Sequence, residues 1–470
     1  MLAAYALDRS GGVVAQQAVL GGYVRQQNVA LHLVIENLCM GADCAAEEAC
    51  FTGVCQPATV MTGPGDEPIR LGLITPLSGV LGSDGPLWRD AALLAIEEVN
   101  MAGGVLGGRL IEPIVVDDET DASVGESLAN RLINEDGVTA IWGAPTSSSS
   151  LSIASIATPA RVPQLTCCAT SSRLSEFNEA LPTTDRFLFT LAPSDLLEAA
   201  VISLAASSQS CTRLAIVHLN DDYGAQFGTH IETTWESGGG TTAIRVPIPS
   251  EEASYTTELT SVRDANPDCI ALVAFSRTAA TVLRDWEALN ATPDITWIGG
   301  YGLHTPSLVD DTGDPALVDG FLSVAPLLEP PTPEYNAFRD AYLARYEREP
   351  IPFASHSYDA MALLTLAIEL AGTTDGDAIR DALLQVSSRP GMRLTPGALG
   401  QGLVEIRTGA GVDYAGASGD ADFDDLHRVV APYEIWRYDA PGTPACSDSM
   451  ALPTGSYCRI ELLTPDEISF

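Results

Sequence analysis

From Ile69 onward the chain alternates short apolar runs with amphipathic, helix-spaced runs, and this alternation constrains the fold more than any other feature. The first run, IRLGLITPL, is continuously apolar, as a strand buried on both faces of a parallel sheet must be. DAALLAIEEVN follows, with Ala91, Ala92, Ala95, Ile96 and Val99 on one helical face, and MAGG stops it. RLIEPIVVDD predicts a second strand. DASVGESLANRLINEDG predicts a second helix, with Val124, Leu128 and Leu132 in register, and VTAIWG a third strand. After Pro193 the pattern restarts with LLEAAVISLAAS, RLAIVHL, YGAQFGTHIETTW, TAIRVPI, LTSVRDANP, CIALVAF, AATVLRDWEAL and ITWIGG. Alternation twice over predicts α/β architecture with two doubly wound sheets. A chain of 470 residues with 46% hydrophobic content can bury a core under each.

Ligands of such sheets sit outside the carboxyl ends of the strands. GAPTSSSSLSIAS, TCCATSS, NDDYG, AFSRT and GGYGLH all fall just after strands. A helix starting at Thr146 or Ser147 offers free N–H groups and a partial positive charge, to which neighbouring hydroxyls add donors. Such a terminus holds a small carboxylate without any basic side chain. The competing reading makes the serines helix caps and nothing more. Tyr223 and Phe275 read either as pocket aromatics or as core.

Charge and composition exclude several functions. The net charge of −38 argues against nucleic acid and against anionic membrane surfaces. All 24 basic residues are arginine, which excludes a Walker-type lysine, a Schiff base and a serine–lysine dyad. No run reaches the roughly 18 apolar residues of a membrane span. None of the six histidines, His32, His218, His230, His304, His356 and His427, lies in a metal-spaced pair. There is no G-x-S-x-G elbow, and no G-x-G-x-x-G follows a strand. No metal and no cofactor is expected. The remaining enzyme reading sets Cys168 against His304 as nucleophile and base, with no third group to order them.

Ten cysteines call for a compartment. Cys39, Cys44, Cys50 and Cys55 form a cysteine-rich module, residues 39–55, that cannot build a core, so disulfides are expected, with zinc as the rival. Cys446 and Cys458 are expected to close a small loop. Cys211 and Cys269 each precede a strand-like run and bridge if those strands are neighbours. Adjacent Cys167 and Cys168 read as free thiols or as a vicinal bond. Residues 1–38 form an atypical segment: glutamines break its apolar part, and His32 stands where an acylated cysteine is expected. Residues 56–68 read as a linker.

From Ile69 to about Tyr438 the chain resembles a type I periplasmic solute-binding protein of the branched-chain amino-acid, or leucine-binding, class. The matching stretches are IRLGLITPLSGVLGSDGPLWRDAALLAIEEVNMAGGVLGGRL, DDETDASVGESLANRLI, GAPTSSSSLSIASIATPARVPQLTCCATSS, IVHLNDDYGAQFG, SHSYDAMALL and YAGASGDADFDDLHRVVAPYEIWRY. The resemblance implies two lobes joined by three crossing segments. Lobe one is expected over 69–190 and 321–430, lobe two over 191–320 and 431–445, and a C-terminal extension over 446–470. It also implies a small carboxylate-bearing ligand, an amino acid or a molecule like one, closed between the lobes. The implied location is extracytoplasmic, periplasmic or at the cell surface, with lipid anchorage left open. The implied partner is the membrane permease of an ABC importer, or a signalling protein for which the chain is the sensor.

Residue by residue, Ser147 matches the serine on the ligand carboxylate, Cys168 a backbone contact and Thr170 a threonine hydroxyl contact. Tyr223 and Phe275 match aromatics of the second lobe, and Asp84 lies in the first loop lining the cleft. One position departs. The acid that holds the ligand ammonium in this class falls on Tyr301, within GGYGLH. Asp84 or Asp222 is then the candidate counter-charge, and Asp222 reads equally well as a helix cap.

Overall fold

The computed structural model describes residues 67–289, 295–327, 332–443, 446, 449–452, 455–464 and 467–468, and the backbone of four earlier strands. Those strands pair antiparallel, β1 (Leu2–Leu7) with β2 (Val13–Val19) and β3 (Glu48–Phe51) with β4 (Val54–Pro57). The second pair sets the backbone of Cys50 opposite Cys55. Cys39 and Cys44, the side chains of Cys50 and Cys55, and with them the expected cross-links lie outside the described residues.

The first lobe is a parallel sheet in the order β6-β5-β7-β8-β9. Its strands are β5 (Ile69–Thr75), β6 (Ile111–Asp117), β7 (Ala140–Gly143), β8 (Gln164–Thr166) and β9 (Leu188–Thr190). Between them run α1 (Gly85–Met101), α2 (Ala122–Asn134), α3 (Ser147–Ala157) and α4 (Ser172–Glu179). Every residue of β7 and β8 is buried, as strands covered on both faces must be.

After β9 the chain enters the second lobe through α5 (Asp195–Ser208). There follow β10 (Arg213–Leu219), α6 (Gly224–Ser237), β11 (Thr241–Ile248), α7 (Thr256–Asp264), β12 (Cys269–Val273), α8 (Ser276–Ala288), β13 (Thr296–Gly299), α9 (Pro306–Thr312) and β14 (Leu322–Pro326). The chain then returns to the first lobe with α10 (Pro333–Tyr346), α11 (Ala354–Ala371), α12 (Gly376–Val386) and α13 (Leu399–Arg407). A small sheet of β15 (Met392–Leu394), β16 (Val412–Gly416) and β17 (Gly419–Asp420) lies beside them. From Ala354 to Glu369 every residue of α11 is buried, so it acts as a central pillar rather than a surface helix.

The last crossing leads to β18 (Tyr433–Asp439), which pairs antiparallel with β14 and with β20 (Gly455–Leu463), while β19 (Ser449–Leu452) pairs with β20. Residues 446–470, expected as an extension, thus supply two strands of the second sheet, whose order is β11-β10-β12-β13-β14-β18-β20-β19. One core joins Leu71 and Trp142 to Leu363 and Tyr414, and another joins Ile216 and Leu272 to Tyr433 and Tyr457. Two lobes with separate cores and three crossings, after β9, after β14 and before β18, leave a cleft between the strand ends.

The cysteines at the strand starts settle as the pattern allowed. β10 and β12 are neighbours, and Cys211 is bonded to Cys269. Cys446 is bonded to Cys458, and Cys167 to Cys168.

Candidate functional site

The two hydroxyl-rich turns come together. The turn after β7 is tied down by Ser150 Oγ, which donates to Ala144 O at 2.6 Å, and by Thr166 Oγ1, which donates to the same oxygen at 2.5 Å. Ser171 N–H then donates to Ser147 Oγ at 3.2 Å, joining the start of α3 to the loop after β8. Ser147 and Thr170 are both 2% exposed. The serines are not caps. Thr146 is the N-cap of α3, and its side chain makes no capping bond. Thr146 Oγ1 is buried without a partner.

Across the cleft, Tyr223 precedes α6 and Phe275 precedes α8, each at the first position of a helix start. Their rings stack at 5.4 Å, and Tyr301 meets Tyr223 edge-on at 5.5 Å. Tyr301 also meets Phe353, at the start of α11, at 5.1 Å. The resemblance did not name Phe353. It sits two residues before the quoted SHSYDAMALL, where nothing in the local pattern separates a cleft aromatic from a core one. The Tyr301 hydroxyl reaches back to the first lobe, 3.4 Å from Thr170 Oγ1 and 3.5 Å from Cys168 O. Beside these rings lies about 450 Å³ of empty space, part of it open to solvent, lined by Asp84, Trp88, Phe275, Tyr301 and Phe353 among others. Burial raises the pKa of Asp84, with the Ser83 hydroxyl opposing.

Asp222 has neither role expected of it. Its carboxylate pairs with Arg173 of the first lobe, and the helix behind it is capped instead by Asp221, which accepts from Gly224 N–H at 2.7 Å. The backbone of Asp222 is also a bridge. Its carbonyl accepts from Ser171 Oγ at 2.8 Å, and its N–H donates to Ser148 Oγ at 3.3 Å. Arg277 adds a second link between the lobes, donating to Gly79 O and Val80 O at 2.7 and 3.0 Å.

Two structural facts correct the nucleophile reading. Cys168 Sγ is in a disulfide and is no thiolate. His304 is engaged within the second lobe, with Nδ1 3.1 Å from Ser323 Oγ and its ring against Tyr457 at 4.6 Å.

Asp195 and Glu198 were missed. Both are 0% exposed, in the first turn of α5 beside Thr170 and Tyr301. Tyr301 N–H donates to Glu198 Oε1 at 2.6 Å, and Asp195 N–H donates to Thr170 O at 2.9 Å. Burial pushes Asp195 up to about 8; the Thr170 hydroxyl opposes this, although its geometry favours Tyr301, and the Asp221 charge adds to it. Burial, then the charge of Asp195, push Glu198 well above the usual carboxylate range.

A family profile described as "Periplasmic binding protein" matches residues 68–439. Among curated proteins, the chain is 25% identical over 316 residues to a leucine-, isoleucine-, valine-, threonine- and alanine-binding protein of Pseudomonas aeruginosa, covering 67% of this chain and 82% of that one. It is 25% identical over 319 residues to a Leu/Ile/Val-binding protein of Rhizobium johnstonii, covering 67% of this chain and 83% of the relative. Among solved structures, a leucine-binding protein of Thermotoga maritima superposes with a TM-score of 0.69 at 21% identity, covering 85% of this chain and 99% of that one. A solute-binding protein of Rhodopseudomonas palustris, in complex with 3,4-dihydroxybenzoic acid, superposes with a TM-score of 0.66 at 19% identity, covering 86% and 98%.

Proposed function

The chain belongs to the periplasmic binding protein family, and from that premise we propose that it captures a small carboxylate-bearing ligand between its lobes and hands it to an ABC importer. The observation that carries this reading is the bond from Ser171 N–H to Ser147 Oγ. It packs the start of α3 against the Thr170 loop at the mouth of the cleft, so that helix N–H groups and hydroxyls face one small volume. Such a volume favours an anion, and no lysine or arginine is needed. Tyr223, Phe275, Tyr301 and Phe353 supply the apolar wall for the rest of the ligand. The relatives' names fit this division. Leucine and dihydroxybenzoic acid differ in almost everything but the carboxyl group. The site residues assigned here are Ser147 and Thr170 on the carboxylate, Cys168 through its backbone, the four aromatics on the body, and Asp84 on the rim. The proposed location is extracytoplasmic, and the proposed partner is the importer's membrane permease.

The test is to denature the purified protein and identify the small molecules it releases by mass spectrometry, then titrate the emptied, refolded protein with each. The reading predicts a released carboxylic acid that rebinds one to one. Release of a sugar, a metal or nothing, followed by failure of a panel of amino and aromatic acids to bind, would overturn it.

A further inference from the structure

The Cys167–Cys168 bond joins neighbours in the chain, so it links no two elements of the fold. A disulfide that stabilises a fold as a whole does so chiefly by closing a long loop of the unfolded chain, and here there is no loop to close. Its effect is local. It ties both side chains and the peptide between them into one small ring, which restricts rotation of the backbone on either side of that peptide. The ring sits in the loop from β8 to α4, between two fixed points. On one side the Thr166 hydroxyl donates to Ala144 O at 2.5 Å and accepts from Ala169 N–H at 3.4 Å. On the other, Thr170 O accepts from Asp195 N–H at 2.9 Å, and Ser171 N–H donates to Ser147 Oγ at 3.2 Å. Cys167 and Cys168 are 0% and 2% exposed and belong to the same core as Trp142 and Phe189. The Cys168 carbonyl meets the Tyr301 hydroxyl of the second lobe at 3.5 Å, and the Thr170 hydroxyl meets it at 3.4 Å. Tyr301 is itself anchored in the second lobe, where its N–H donates to Glu198 Oε1 at 2.6 Å. One short loop thus gives two cysteines to the core and two oxygens to the cleft. A turn of the peptide between the cysteines would move both oxygens.

We propose that the Cys167–Cys168 disulfide is a positioning element of the binding site, which fixes the Cys168 carbonyl and the Thr170 hydroxyl for the ligand and for Tyr301. This rests on the reading that the ligand's carboxylate is held at Ser147 and Thr170. Two serines would fill nearly the same space and leave the peptide between them free to turn. With the ring in place the loop is set before a ligand arrives, and less ordering is left for binding to bring about. The contribution of the bond therefore falls on affinity rather than on the stability of the lobe.

The experiment compares the wild type with the double variant Cys167→Ser/Cys168→Ser. Amide hydrogen exchange followed by NMR needs neither a ligand nor a closed cleft. In the variant the Ala169 and Ser171 amides should exchange about tenfold faster, while those of Ile141 and Gln164, in the strands beside them, keep their rates. Calorimetric titration uses leucine and 3,4-dihydroxybenzoate as probes. Whichever the wild type binds, the variant should bind about three- to tenfold more weakly, with its melting temperature little changed. Tyr301→Phe should weaken binding in the wild type and add little in the variant, where the hydroxyl has already lost its fixed partner. Equal acceleration of all four amides, no acceleration, or unchanged affinity for a bound probe overturns the assignment and leaves the carboxylate reading standing. A wild type that binds neither probe counts against the carboxylate reading alone, and the exchange rates still decide this one. Mass spectrometry of the wild type, digested without reduction, serves even if the variant does not fold. A Cys167–Cys168 peptide with two free thiols overturns the proposal, and the same peptide two hydrogens lighter supports it.

Discussion

Ser147 and Asp195 make opposite demands on the fold. Ser147 contributes one hydrogen bond to the protein, as acceptor from Ser171 N–H, and keeps its own proton for a ligand. Ser147→Ala should therefore lower stability by about 1 kcal/mol and weaken carboxylate binding by about 1.5–3 kcal/mol, tenfold or more. Thr170→Val should cost binding similarly, and the pair should be non-additive because both serve one anion. Titration of the wild type, both single variants and the double checks this. Full affinity in Ser147→Ala would place the site elsewhere in the cleft. Asp195 costs stability instead. Its folded pKa of about 8 lies above that of an unfolded aspartate, so the folded state holds a proton the unfolded chain has released. The associated stability is complete below the ordinary carboxylate range and is lost as pH rises toward 8. Asp195→Asn should melt near the wild type at pH 4 and higher than it at pH 8.5, with a flatter pH profile between. A parallel profile would mean that Asp195 is ionised and already paired.

Among the elements, those with a periodic pattern were legible and those defined by pairing were not. The strands β5, β6, β7, β10, β11, β12 and β13 and most of the helices between them follow from apolar runs and helical spacing, whereas β8 and β9, three residues each, are too short to show a run and α4 carries no such spacing. The crossing back to α10–α13 and the antiparallel return of β18, β20 and β19 carry no such mark. In GSYCRIELL exposed and buried residues mix, since β20 is half covered, and its place is set by pairing with β18. The same limit hid Asp195 and Glu198. Acids in a first turn are what any helix N-terminus favours, and only the packing of Tyr223 and Tyr301 from other elements shows that these are buried. Tyr301 was legible as a departure from the class, but the acids packed beside it on α5 were not. The Cys211–Cys269 bond was conditional on strand order, and that order is now known. It crosslinks β10 to β12 across a separation of 58 residues. Replacing both cysteines by alanine should cost about 2–4 kcal/mol, seen as a lower urea midpoint. The proposed ligand site lies at the other ends of these strands, so affinity should be unchanged. A loss of affinity equal to the loss of stability would show that the second lobe does not hold its shape without the bond.

At the scale of the whole molecule the question is what closes the cleft. The links between lobes include Asp222 with Arg173, Ser148 and Ser171, Arg277 with the loop at Gly79, His230 with Ser172, and the Tyr301 hydroxyl with Thr170 and Cys168. The Arg173 and Asp222 side chains are 49% and 29% exposed, and pairs that wet contribute about 0–1 kcal/mol. The two hydrogen bonds to the Asp222 backbone add roughly 1 kcal/mol each. Moving an equilibrium from 1:99 to 99:1 takes about 5.5 kcal/mol of differential binding. A ligand that touches both lobes adds to this closing energy, with Ser147 and Thr170 proposed on one side and Tyr223 and Phe275 on the other. Closure should then be a hinge motion about the three crossings, leaving each core intact. X-ray scattering should show a smaller radius of gyration on saturation with the released ligand. Asp222→Ala removes the ion pair and spares the backbone bonds, so it should weaken binding no more than a few-fold and leave the compaction unchanged. Compaction lost in that variant would make the Arg173–Asp222 pair the clasp. An unchanged radius in the saturated wild type would mean that the lobes are already closed when empty, and that the ligand enters by a local opening at Asp84 and Phe275.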